Sequence, residues 1–91
     1  RRRRRPSASE DAGAIRDRLS KQCLVLQERH GLSMRETEVM ELIARGNSMA
    51  AIAERLVISE NTVRTHAKHI YTKLDIHRRQ ELLDMLRELG D

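Results

Sequence analysis

Beyond Pro6 the chain contains no proline, and its apolar residues recur at intervals of three and four instead of two. Together these features narrow the possible folds more than anything else in the sequence. The strongest helix breaker is confined to one end, and the apolar spacing is that of a helical face. The supply of core residues agrees. Phe and Trp are absent and Tyr71 is the only aromatic, so 91 residues must build one small core from Leu, Ile, Val, Met and Ala. No stretch sustains the alternation of a half-buried strand, and no segment repeats. The expectation is an all-α chain.

Local signals divide it. Residues 1–14, five arginines followed by PSASEDAGA, read as a disordered basic and polar tail. Residues 15–31 read as a helical connector, with Ile15, Leu19, Cys23 and Leu26 near one face, Leu24 and Val25 widening it, and Gly31 ending it. In SMRE, Ser33 and Glu36 have the spacing of a capping box, which starts a helix running through Val39, Leu42 and Ile43 to Gly46. Asn47 and Ser48 cap a short helix whose apolar residues are Met49, Ile52, Ala53 and Leu56. VIS then makes a tight connection, and Ser59 is the expected N-cap of the next helix. There Val63, Ala67, Ile70 and Leu74 fall within roughly 60° of one another at about 100° per residue. Asn61, Arg64, Thr65, Lys68 and Thr72 lie on the opposite arc. Asp75 and Ile76 turn the chain into a last helix over about 79–89, with Leu82, Leu83, Leu86 and Leu89 apolar.

Net charge by itself misleads. The formal +4 depends on residues 1–5; without them thirteen basic residues stand against fourteen acidic. Distribution is more informative. Residues 59–79 hold five basic side chains and two acidic ones, whereas residues 80–91 hold four acidic and one basic. The positive charge is therefore local to the segment ISENTVRTHAKHIYTKL. Cys23 is alone, which excludes an intramolecular disulfide and suits a reducing compartment. No apolar run is long enough to span a bilayer.

Two short helices joined by three or four residues, the second amphipathic and basic outward, make a helix-turn-helix. The major groove of B-DNA is about as wide as one helix, so one helix must protrude while another crosses behind and holds it. Ile52, Ala53 and Leu56 are expected to pack against Val63, Ala67 and Ile70, the two alanines permitting close approach. Arg64 and Lys68, one turn apart, can reach guanine O6 and N7 or phosphates. Thr65 can bond a base edge or touch a thymine methyl. Amides and side chains near Asn61 and Thr62 suit phosphate oxygens.

Residues 32–83 resemble the LuxR/FixJ-type C-terminal DNA-binding domain of bacterial transcription regulators. The resemblance is carried by Leu32, Arg35, Glu36, Glu38, Val39, Gly46, Ile52, Ala53, Leu56, Ile58, Ser59, Thr62, Val63, His66, Ile70, Lys73 and Leu74. It implies a four-helix helix-turn-helix bundle over residues 32–91, with the connector as an extra helix in front. It implies base contacts from Arg64, Thr65 and Lys68, and phosphate contacts from Ser48, Asn61, Thr62, His69, Thr72 and Lys73. It also implies a homodimer through the last helix, from Leu82, Met85, Leu86 and Leu89. Double-stranded DNA is the expected partner, with RNA polymerase a further one and the cytoplasm the expected location. Such domains are usually coupled to an upstream regulator, so the chain is expected to be the output part of a longer protein. The arginine block would also suit a juxtamembrane segment of a membrane-tethered member. Three positions depart from the family pattern. Asp75 stands where Gly is usual, a left-handed site; Arg78 stands where a capping Ser or Asn is common; Ala51 replaces a frequent polar residue and removes one phosphate contact.

Competing readings are weaker. His66 and His69 have helical spacing, but no Cys or carboxylate converges on them in sequence, so no metal is expected. Cys23 reads as a small buried residue rather than a redox switch. There is no phosphate loop, no nucleophile with a plausible base and no ligand cluster, which argues against an enzyme or a cofactor. The remaining rivals are a helical protein-interaction module and a sigma-like promoter-recognition domain.

Overall fold

A computed structural model describes the backbone over residues 7–90 and the side chains over residues 18–90. The described residues form five helices and no strand: α1 (Ser7–His30), α2 (Met34–Ala44), α3 (Met49–Leu56), α4 (Glu60–Leu74) and α5 (Arg79–Glu88). The all-α expectation therefore holds. α1 reaches back to Ser7, into the segment read as a disordered tail, and the expected connector is the inner part of this one longer helix. The remainder of the tail, residues 1–6, lies outside the described residues.

The chain is organised around α2, which packs against α1, α3, α4 and α5. Its Val39, Met40 and Ile43 are buried, as are Ile52 and Ala53 of α3 and Val63, Ile70 and Leu74 of α4. Cys23 and Leu26 of α1 and Leu82 and Leu86 of α5 complete this core. Each fully buried aliphatic side chain contributes about 1.5–3 kcal/mol relative to its exposed state. Burial also pushes the Cys23 thiol up to about 12, with nearby Glu41 adding to the shift and Arg45 opposing it. The thiol is thus neutral and enclosed at ordinary pH.

Helix ends follow a shared rule. α2, α3 and α4 begin with Ser33, Ser48 and Ser59, whose hydroxyls accept from the Glu36, Ala51 and Thr62 N–H groups. α1 to α4 each end at a left-handed residue: Gly31, Gly46, Val57 and Asp75. At each, the following amide turns back to a carbonyl of the last turn: Leu32 to Gln27, Asn47 to Leu42, Ile58 to Ala53 and Ile76 to Tyr71. These bonds satisfy carbonyls the helix leaves open. α5 starts differently. The Arg78 guanidinium cannot accept a hydrogen bond, and the Glu81 carboxylate accepts from the His77 and Arg78 amides at 2.8 and 3.0 Å instead.

Candidate nucleic-acid interface

α3 and α4 meet through the residues that the helix-turn-helix reading requires. Ile52 and Ala53 are buried on one side and Val63 and Ile70 on the other, while Leu56 and Ala67 pack partly buried against the same core. This leaves the opposite arc of α4 open, with Asn61, Arg64, Thr65, Lys68 and Thr72 all exposed. The three residues expected to read bases therefore share one protruding face.

Their partners differ. Arg64 Nη2 donates to Glu60 Oε2 at 2.6 Å, a pair four residues apart along the helix, with both side chains well exposed. Such a pair is worth about 0.3–0.5 kcal/mol, so it orients the guanidinium without sequestering it. The Thr65 hydroxyl donates to its own helix at the Asn61 carbonyl, 3.1 Å away. Lys68 has no hydrogen-bond or ion-pair partner among the described residues, which leaves its ammonium to solvent.

The expected phosphate contacts divide into two groups. Ser48, Asn61, Thr62 and Thr72 are exposed. Ser48 marks the N-terminus of α3, and Thr62 pairs its hydroxyl with that of Ser59 at 2.8 Å at the N-terminus of α4. Free helix-end amides at these two points suit an anion. His69 and Lys73 are on the flank of α4 that faces α2. His69 Nδ1 lies 3.7 Å from Glu36 Oε2. Lys73 Nζ donates to Glu36 Oε1 at 2.8 Å and to the Gly31 carbonyl at 3.1 Å. The Lys73 ammonium is thus bonded to two acceptors of its own chain, while 38% of the side chain remains accessible.

Glu36 is the residue at this site that sequence reasoning undervalued. It was legible as the third residue of a capping box, and that box is present, with Ser33 Oγ accepting from the Glu36 amide and Glu36 Oε1 accepting from the Ser33 amide. It is also only 6% exposed, and the Lys73 hydrogen bond, followed by the Ser33 amide, holds its carboxyl below the usual glutamate range. At about 100° per residue, Lys73 falls roughly 90° from the centre of the apolar arc of α4, but so does Arg64 on the other side, so the helical wheel alone does not single Lys73 out.

The expected dimer residues are unequally exposed. Leu82 and Leu86 are buried within the single chain, because α5 packs against α1 and α2. They are not available to a second copy without dismantling the core. Met85 and Leu89 are partly exposed and remain reachable. Among the described residues no group of three or more His, Cys, Asp and Glu side chains is placed to hold a metal ion, and no helix is long and apolar enough to cross a membrane.

Comparison with known proteins covers this same region. Residues 30–86 match the model of the family described as bacterial regulatory proteins, luxR family. The oxygen regulatory protein NreC of Staphylococcus haemolyticus is 47% identical over 53 residues, which is 58% of this chain and 24% of that protein. The oxygen regulatory proteins NreC of Staphylococcus epidermidis and of Staphylococcus aureus are each 45% identical over 53 residues, with the same coverage. The matched stretch therefore spans about a quarter of the length of these relatives. No solved structure matches the chain.

Proposed function

The chain belongs to the luxR family of bacterial regulatory proteins, and from that premise we propose that it binds duplex DNA sequence-specifically, with α4 lying in the major groove and α3 bracing it. The observation that carries this reading is the division of α4: Val63, Ile70 and Leu74 are buried, while Arg64, Thr65 and Lys68 form one open face. Arg64 and Lys68 read guanine edges, and Thr65, its hydroxyl bonded to its own helix, offers its methyl to thymine. A bidentate guanine contact is worth about 1–3 kcal/mol, more than the exposed pair with Glu60, so Arg64 transfers to DNA at little cost. Ser48, Asn61, Thr62 and Thr72 contact phosphates on either side. Two copies occupy paired half-sites, with Met85 and Leu89 of α5 as the surface between them. RNA polymerase and an upstream regulatory domain complete the set of partners, and the location is the cytoplasm.

The test is selection from a random duplex library at near-physiological salt, with residues 1–5 removed because five arginines bind any polyanion. A short enriched motif is expected. Arg64→Ala and Lys68→Ala should each cost about 1–3 kcal/mol on that motif and relax preference at one position. Equal binding to all sequences, by wild type and variants alike, would sink the reading.

A further inference from the structure

One charged group on α4 is bonded to other segments of the chain. The Lys73 ammonium, in the last turn of α4, bonds two acceptors that are distant in sequence. One is the Gly31 carbonyl just past the end of α1. The other is Glu36 in the first turn of α2, whose Oε1 also accepts from the Ser33 amide and whose Oε2 faces His69. Three segments thus converge on one ion pair. A carboxylate as buried as Glu36 is stable there only if paired and hydrogen-bonded, so the cluster holds its geometry firmly. The cation also lies where the carbonyl end of α1 favours positive charge. α1 itself packs against α2 and α5, and Lys73 gives its end a direct hydrogen bond to α4.

We propose that Lys73 is a positioning residue, which fixes α4 relative to α2 and links the end of α1 to the DNA-binding face, and that it does not contact phosphate. The proposal rests on the assignment of α4 as the DNA-reading helix. Its consequence is regulatory: a displacement of α1 reaches α4 through the Gly31 carbonyl, Lys73 and Glu36. Affinity then responds to the position of α1 while sequence preference stays with Arg64, Thr65 and Lys68.

The first measurement uses the wild-type chain and the duplex selected above. Nitrogen-15 spectroscopy of the Lys73 ammonium should show hydrogen-bond coupling to the Glu36 carboxylate both free and on DNA. Coupling to duplex phosphorus would overturn the proposal. The second uses Lys73→Met and Glu36→Gln at a temperature where both are folded. Each should weaken all duplexes alike, on the order of tenfold, with the salt dependence unchanged, and the double variant should be no weaker than the worse single. A salt slope shallower by about 0.9 in Lys73→Met marks a lost phosphate contact, and additive losses mark independent roles; either overturns the proposal. Unchanged affinity in folded variants reduces Lys73 to a stability element and overturns it too. The link to α1 is read at the Leu32 amide: DNA should slow its hydrogen exchange in wild type and not in Lys73→Met, and equal exchange in both removes the link. If Lys73→Met does not fold, the wild-type spectra decide. Failure of the wild type to select any motif sinks the DNA reading and this inference with it, whereas specific binding with phosphate coupling at Lys73 sinks this inference alone.

Discussion

Glu36 shows how one side chain can serve two structures at once, and acid is the way to separate them. Its carboxyl is held below the ordinary glutamate value, first by Lys73 and then by the Ser33 amide. A depressed folded value means the unfolded chain takes up protons more readily. The stabilisation is therefore complete above the unfolded value of about 4.3 and is lost as pH falls through the lower folded value. The urea midpoint should stay level from neutral pH to about 5 and then fall steadily. Glu36→Gln should begin about 1–2 kcal/mol less stable at pH 7 and fall less steeply in acid. Glu81, also held low by the His77 and Arg78 amides, retains its own share of the acid response. Parallel curves for wild type and variant would remove Glu36 from the acid response. The two roles of Glu36 were unequally legible. The capping box links residues three apart, so local chemistry reveals it. The Lys73 pair joins positions 37 apart, and only packing decides that they meet.

At the scale of whole elements, helix starts and stops were legible wherever a residue announces its own backbone. Ser33, Ser48 and Ser59 cap as serines do, and Gly31 and Gly46 end helices because they accept positive φ freely. Val57 announces nothing. A β-branched residue at φ 57 is strained, and nothing in its identity suggests a left-handed site. The neighbours impose it: Ile52 and Ala53 must be buried before the turn and Val63 after it, and only the left-handed bend connects them in so few residues. The start of α1 was hidden for the opposite reason, because small polar residues suit both a tail and the first turns of a helix. Val57 is 88% exposed, so replacing it removes little packing. Val57→Asn should therefore stabilise the fold by about 1 kcal/mol, which for a domain of this size raises Tm by roughly 4–8 °C. A thermal melt decides this. A lower Tm would mean that the left-handed turn costs nothing here and that the valine side chain packs usefully.

At the scale of the molecule, α5 must choose between the core and a partner, and its buried leucines have chosen the core. The apolar spacing of Leu82, Leu83, Leu86 and Leu89 was plain in the sequence, yet spacing cannot say whether the surface it meets belongs to the same chain. Leu82 and Leu86 are buried within the chain, where α5 packs against α1 and α2. Leu82→Ala should then behave as a core deletion, costing about 2–5 kcal/mol of unfolding free energy. Met85→Ala and Leu89→Ala should each cost far less. The two surviving side chains fall well short of the roughly 800 Å² per partner that a stable pair buries. The free chain should therefore sediment as a monomer at micromolar concentration, and two copies should pair only when DNA aligns them. On a duplex with two half-sites one helical turn apart, binding should be cooperative in wild type. It should become independent in the Met85→Ala, Leu89→Ala double variant, with single-half-site affinity unchanged. Cooperativity that survives this double variant would place the pairing surface elsewhere on the molecule, and a stable dimer without DNA would show that α5 offers more surface than two side chains can.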